Sequence, residues 1–581
     1  MARASDGEHG KIPRGCDRRR WRWVRALGFP PVVALALLLG TPSGAHAAGA
    51  PPPPPPPTKP EPAAVGAVLD AVAPLTGDAG VALAMRPPVL APLPPGPKPA
   101  APHLSEAELI DLAGFRPEQV GYLVYDLDTG EYLAGHNAAH PAFLPASVLK
   151  VPTTVAALAI LGPDHRFPTL VRFDGTRDGP VWRGTLALVG GGDPVLDSDD
   201  LRALMADLKA AGLERLDGSF VYDDSALIAA PSIEDSQPPE HSYNPGLSAL
   251  SLDFNRVRVG WDGEIVRFIE THGTPPVAPV RLTRDTATTG WARPGPSLRH
   301  AFAPPGTHDD DGLVVESWRM SPHAPYAGAT WLPVRAPAPF TAAVFRALAD
   351  EAGIVLPDPE PARQPARGPI VASHFSPRLS AIAAAGLKHS NNLLAELVGL
   401  AATKALEGRP LPMAKSAARM TDWLAEAMPW VDWSGFYMAN HSGLSPDSRA
   451  SPEQIVSILR FAQDQGAALA PAAYASLLPT RRFPDRDASV VAARVRAGAG
   501  PPRVAAKSGT MYHGRGLAGF VVGKDGHRLV FALFISDLPA RRAFDADYAH
   551  YAASAVRRAR AQLRRARDLE HALILKWVSE H

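Results

Sequence analysis

Three short polar motifs constrain this chain more than any other feature. Ser147-Val148-Leu149-Lys150, Ser390-Asn391-Asn392 and Lys507-Ser508-Gly509-Thr510 follow one another, with 243 residues from Ser147 to Ser390 and 117 from Ser390 to Lys507. If they form one site, the fold must gather three distant points, and the first gap must hold structure of its own.

The chemistry of the residues favours one site. At i and i+3 on a helix, Ser147 and Lys150 share a face. Ser147 stands at the expected start of a helix over Ser147–Leu161, where free amides and the positive dipole end favour developing negative charge. A serine hydroxyl needs a base to become a nucleophile. Lys150 is that base if burial and a second cation, Lys507, push its pKa down. Ser390 is placed to relay a proton and the Asn392 amide to hold a peptide group. The Lys507 ammonium with the Ser508 and Thr510 hydroxyls suits a substrate carboxylate, and Gly509 lets a substrate backbone lie close along its strand. Taken singly, each motif has a plainer reading: Ser147 and Ser390 as helix caps, and Gly509 as a bulge residue.

Around the motifs the chain divides by texture. Residues 1–47 read as an export signal: an Arg-rich start, a short apolar run from Val32 to Leu39, and a small-x-small site at Ala45-His46-Ala47. Residues 48–104 form a Pro-rich tether that includes seven consecutive prolines, Pro51 to Pro57. Order begins at the Ser105/Glu108 capping box. Strands are expected at Val120–Asp126 and Glu131–Ala134, with a turn at Asp128-Thr129-Gly130 between them. Residues 170–369 are strand-rich, with helical spacing at Leu201, Leu204, Met205 and Leu208 and again over Phe340–Ala352. A phase break at Asn255-Arg256 suggests a bulge, and the Pro-rich stretch 355–368 suggests a boundary. After the third motif, a hairpin around Lys524-Asp525-Gly526 and a C-terminal helix capped by Asp545 are expected. The expected domains are therefore 105–169 plus 370–581, discontinuous, with 170–369 inserted.

Composition removes other function classes. With 59 Lys+Arg against 58 Asp+Glu there is no basic field for nucleic acid. The single cysteine, Cys16, has no partner for a disulfide. No G-x-S-x-G elbow or phosphate loop is present. His136 and His140 form an H-x-x-x-H pair without a glutamate, placed in a loop, so no metal and no cofactor are called for. His389 reads as a surface or packing residue. Arg557, Arg558, Arg560, Arg564, Arg565 and Arg567 read as a solvated helix face, with peripheral contact to anionic lipid as the alternative.

The motif set is that of penicillin-binding proteins and class A β-lactamases. The chain resembles the D-Ala-D-Ala carboxypeptidase/endopeptidase family of low-molecular-mass, class C penicillin-binding proteins. The resemblance extends to Gly191-Gly192-Asp193-Pro194, to the Leu216-Asp217-Gly218 strand, to Tyr243–Asn255 and to His441-Ser442-Gly443-Leu444-Ser445. It implies an α+β fold: an antiparallel sheet with helices on both faces, interrupted by mostly β inserted domains. It also implies an exported enzyme of the periplasm or cell envelope that cleaves peptidoglycan stem peptides and binds β-lactams covalently. In that scheme Ser147 is acylated with Lys150 as base, and Ser390 passes the proton to the leaving D-alanine. Asn392 orients the peptide, Lys507, Ser508 and Thr510 hold the terminal carboxylate, and the amides of Ser147 and Thr510 form an oxyanion hole. Asn391 replaces a frequent Asp, Ser508 a frequent Thr, and Pro446 a frequent basic residue. Pro152 falls where it removes a helix hydrogen bond. Two alternatives remain: a β-lactamase or related serine amidase, and a catalytically idle cell-wall-binding protein of the same fold.

Overall fold

The structure, a computed structural model, describes residues 104–140, 143–263, 265–269, 279–286, 291, 298–309, 312–470, 473–483, 502–546 and 553–581. The expected signal and nearly all of the tether lie outside the described residues.

Helix α1 (Glu106–Leu112) begins at the expected capping box: the Glu108 amide donates to Ser105 Oγ at 3.3 Å, and the Ser105 amide donates to Glu108 Oε2 at 2.7 Å. Strands β1 (Val120–Asp126) and β2 (Tyr132–His136) follow as an antiparallel pair. Residues Ala146–Leu149 then form a 3-10 turn that continues into α2 (Lys150–Leu161). Ser147 therefore lies in the 3-10 turn before the α-helix and not in its first α turn. Pro152 accounts for the shift. It has no N–H to close an α bond back to Val148, and at the third position of α2 it displaces only a donor with no intrahelical partner.

The chain next builds a sheet from β3 (Pro168–Asp178), β4 (Val181–Gly190) and β5 (Arg215–Asp223). β4 and β5 run parallel through the crossover helix α3 (Ser198–Ala210). Where a bulge was expected, Asp253, Phe254 and Asn255 take φ of 48°, 57° and 50°, a left-handed turn. The Asn255 side chain stabilises it by accepting from the Leu252 amide and donating to the Gly246 carbonyl. Small sheets follow. β6 (Arg256–Asp262) and β7 (Ile265–Phe268) join β13 (Ala327–Pro333). β8 (Val280–Arg284) and β9 (Leu298–Phe302) flank β12 (Glu316–Met320), while β10 (His308–Asp309) pairs with β11 (Gly312–Leu313). Helix α4 (Pro337–Glu351) then packs against β5 and α3.

The Pro-rich stretch 355–368 is part of this region's sheet. It contains β14 (Pro359–Pro361), parallel to β5, and leads to β15 (Ile370–Phe375), antiparallel to β3. The region's apolar core runs from Val171 through Trp182, Phe220 and Phe345 to Ala372. Its strands and its two helices, Ser198–Ala210 and Pro337–Glu351, fit the expected mostly β texture with two helical stretches.

The chain re-enters the first region with α5 (Leu379–His389), α6 (Asn392–Glu407), α7 (Met413–Ala427) and α8 (Pro452–Asp464). It then adds β16 (Thr480–Arg482), β17 (Arg503–Met511), β18 (Gly514–Val522) and β19 (Arg528–Ser536). Among the described residues these complete a six-stranded antiparallel sheet of order β16-β17-β18-β19-β1-β2. Its central strands read as apolar runs because both faces are covered. One face packs on α2, α5, α6 and α8. The other packs on α1 and α10 (Ala553–Glu580), through Leu569, Leu573 and Trp577.

Asp545, expected to cap the C-terminal helix, lies inside α9 (Leu538–Ala546). There it pairs with Arg541 one turn earlier, and α10 begins only at Ala553. All six arginines from Arg557 to Arg567 are exposed, and Arg565 lies 5.4 Å from the Phe115 ring. No helix among the described residues is long and apolar enough to cross a membrane. His136 stacks on Tyr122, His140 meets Phe143 edge to face, and the described residues hold no group of three or more metal-ligating side chains.

Candidate active site

The 3-10 turn aims Ser147 at a cleft of about 570 Å³. Lys150, one turn further on and 1% exposed, lies behind it. Its Nζ donates to Ser147 Oγ at 2.9 Å, to Asn392 Oδ1 at 2.8 Å and to the Ser442 carbonyl at 2.8 Å. Once the lysine is neutral, two of these partners decide its orientation. The Asn392 and Ser442 oxygens only accept, so they take its two hydrogens and the lone pair is left facing Ser147. Burial pushes the Lys150 pKa down to about 7, against an opposing pull from Glu396.

In the second motif three consecutive residues do three jobs. Ser390 ends α5 in the left-handed region, at φ 55° and ψ 32°, a strained conformation for a residue with a side chain. Asn391 is the N-cap of α6 and accepts from the Leu394 amide at 3.2 Å. The cap on this helix is thus Asn391 and not Ser390, and an Asn or an Asp there does the same work. Asn392 opens α6. Its amide nitrogen donates to the Tyr243 carbonyl at 2.9 Å, so a segment from the first long gap reaches into the site.

The third motif lies on β17. Lys507 is also 1% exposed, and its Nζ donates to Ser390 Oγ at 3.0 Å and to the Ser508 carbonyl at 2.8 Å. Burial holds its pKa well below the ordinary lysine value, and repulsion from Lys150, Arg481 and Arg515 adds to this. The sequence suggests that Lys507 depresses Lys150. In the folded site burial is the largest cause of the shift at both lysines, and each ammonium disfavours the other by like-charge repulsion. An incoming carboxylate would restore the Lys507 ammonium.

Two arginines not singled out in the sequence fix the hydroxyls of this motif. Arg481 donates to Ser508 Oγ at 2.8 Å and Arg515 to Thr510 Oγ1 at 2.6 Å. Each hydroxyl accepts from an arginine, so its own hydrogen remains to donate to a substrate anion. Arg515 is held by Glu570 of α10 through two bonds of 2.7 Å. Gly509 also has a packing role. A Cβ there would meet the Pro145 carbonyl oxygen at 2.2 Å, so its missing side chain lets β17 approach the turn that carries Ser147. Gly443 does the same from the other side: its φ is 73°, and a Cβ would meet the Ala146 carbonyl oxygen at 2.0 Å.

The structure therefore gathers all three motifs. Ser147, Ser390, Asn392 and Thr510 line the cleft, while Lys150 and Lys507 stand behind it. Glu396, Arg481, Arg515 and Glu570 had no sequence signal of their own, while Tyr243 opens a stretch already singled out, Tyr243–Asn255. Ser442 lay in a stretch already singled out, His441–Ser445.

The D-Ala-D-Ala carboxypeptidase 3 (S13) family matches residues 106–555. A D-alanyl-D-alanine carboxypeptidase of Actinomadura sp. (strain R39) is 27% identical over 438 residues, 71% of this chain and 77% of that protein. The D-alanyl-D-alanine carboxypeptidase DacB of Haemophilus influenzae is 22% identical over 458 residues, 75% of this chain and 89% of that protein. Among solved structures, penicillin binding protein 4 (dacB) from Haemophilus influenzae superposes with a TM-score of 0.60 at 21% identity, covering 74% of this chain and 93% of that chain. The fold is thus shared with the Haemophilus influenzae protein, and the chain belongs to the D-Ala-D-Ala carboxypeptidase 3 (S13) family.

Proposed function

We propose that this serine-type D-Ala-D-Ala carboxypeptidase, a hydrolase of peptidoglycan peptides that binds β-lactams, works through an acyl-enzyme on Ser147. The observation that carries the assignment is the position of Lys150, buried, bonded to Ser147 and oriented by Asn392 and Ser442. Ser147 Oγ attacks the carbonyl of the scissile D-Ala-D-Ala bond while Lys150 takes its proton. Ser390, bonded to Lys507, returns a proton to the leaving D-alanine nitrogen. Lys507, Ser508 and Thr510 receive the terminal carboxylate. Asn392 orients the peptide, Gly509 admits the strand that carries these groups, and the Ser147 and Thr510 amides stabilise the oxyanion. Water then releases the acyl group.

The same reading includes endopeptidase action on cross-links, export to the periplasm or cell envelope after removal of residues 1–47, and a Pro-rich tether over 48–104. It divides the folded part into a DD-peptidase domain (105–169 plus 370–581) and an insert (170–369) whose sheet borrows β15. Six exposed arginines on α10 support peripheral contact with anionic lipid. The test is peptide mapping by mass spectrometry after penicillin treatment, with D-alanine release from a pentapeptide measured alongside. A lasting adduct on Ser147 with D-alanine release is expected. Rapid penicillin turnover would select a β-lactamase, and no adduct would select an idle binding protein.

A further inference from the structure

Glu396 is a wholly buried carboxylate on α6, one turn after Asn392. Its Oε2 accepts from the His441 amide at 3.0 Å and its Oε1 from the Ser442 amide at 2.8 Å. Burial raises the Glu396 pKa, and the hydrogen bonds from residues 441–442 together with Lys150 oppose that rise and favour the ionised form. The backbone it grips is the turn whose Ser442 carbonyl accepts from Lys150. Everything around the turn fixes it further. Asn440 Oδ1 accepts from the Gly443 and Leu444 amides at 2.9 and 3.2 Å. Thr153 Oγ1 donates to the His441 carbonyl at 2.7 Å, tying the turn to the nucleophile helix α2. Gly399, one turn after Glu396, leaves room for the His441 ring, which a Cβ would meet at 2.3 Å. Gly443 abuts Ala146, the residue before the nucleophile.

We propose that Glu396 is the positioning residue for the base of this enzyme: by pinning residues 441–442 it holds the Ser442 carbonyl where it takes one Lys150 hydrogen and leaves the lone pair on Ser147. This rests on the assignment of Ser147 and Lys150 made above. A buried carboxylate also acts on Lys150 by its charge, favouring the ammonium. Two titratable groups border Glu396: Lys150 from α2, and the His441 imidazole from the turn, which burial pushes down to about 3 so that it stays neutral. Lys507, on β17, is engaged with Ser390.

Position and charge separate in two variants. Glu396→Gln keeps the volume, but its NH₂ must face a backbone N–H and its charge is gone. Glu396→Asp keeps the charge and draws it back from the turn. The experiment measures the second-order rate of acylation by a fluorescent penicillin, on the full-length protein, on either side of pH 7, with melting curves and mapping of the labelled peptide. E396Q should acylate roughly 10–100-fold more slowly at the plateau. Its acidic limb should move down by roughly one pH unit, because the charge that favours the Lys150 ammonium is removed. E396D should also be slowed, with its limb at the wild-type position. A folded E396Q with the wild-type limb, or an E396D that acylates at the wild-type rate, overturns the proposal. If E396Q does not fold, E396D decides. An unlabelled Ser147 in the wild type would overturn the nucleophile assignment and this proposal with it. A labelled Ser147 with unchanged variants would overturn this proposal alone.

Discussion

The catalytic region and the insert both bury polar groups, but they bury them for different ends. In the insert, Asn244 Oδ1 accepts from the Ile233 and Glu234 amides, both at 2.9 Å. Asn255 closes the turn into β6, and Glu316 accepts from the Arg335 amide at 3.0 and 3.2 Å. These side chains satisfy backbone groups that the fold leaves open, as buried polar groups usually must. In the catalytic region Lys150 and Lys507 each spend a bond on a serine hydroxyl, and burial depresses both pKa values. A buried amine held against hydroxyls, where a backbone need would not require it, marks the functional end of the molecule. Glu396 spans the two kinds: it satisfies backbone amides, and that backbone serves the base.

The sharpest way to break this contrast is at Ser147. Ser147→Ala should abolish peptide hydrolysis and penicillin acylation together, read as loss of the covalent adduct by mass spectrometry. An adduct on another serine would move the functional end elsewhere.

Ser390→Ala should be less severe. It keeps the nucleophile and removes a proton relay, so acylation should slow by about 10²–10⁴-fold while an adduct on Ser147 still accumulates over long incubation.

The wild-type pH profile sharpens the comparison further. Lys150 is depressed from its ordinary value to about 7, so the neutral base persists down to that pH. Below it the ammonium forms and cannot take the serine proton. Acylation should therefore fall about tenfold per pH unit on the acid side. A flat rate through that range would mean that Lys150 is not the base.

The smallest effect on chemistry is expected from the insert's core. Phe345 is fully buried and stacks on Phe220 at 5.5 Å. Phe345→Ala should cost about 3–5 kcal/mol of stability, seen as a lower melting temperature. The acylation rate of the folded protein should be unchanged. A slowed rate in folded protein would show that the insert's core acts on the site, through the Tyr243 carbonyl bonded to Asn392.

Motifs and local periodicity were legible without the fold. The sequence alone picked out Ser147 with Lys150, Ser390 with Asn392, the Lys507–Thr510 stretch and the strands β1, β18 and β19, because each is written in residues close together along the chain. It also determined that a separate apolar core, that of the insert, lies between the first and second motifs. Only the tertiary structure decided what surrounds the lysines. Glu396, Arg481, Arg515 and Glu570 are ordinary helix and strand residues until the chain closes on itself, and burial, which sets the Lys150 pKa, is a property of all the neighbours at once. The packing role of Gly509 and Gly443 was hidden for the same reason. Each glycine leaves room for a carbonyl more than 290 residues away in sequence, and such an approach has no trace in local pattern.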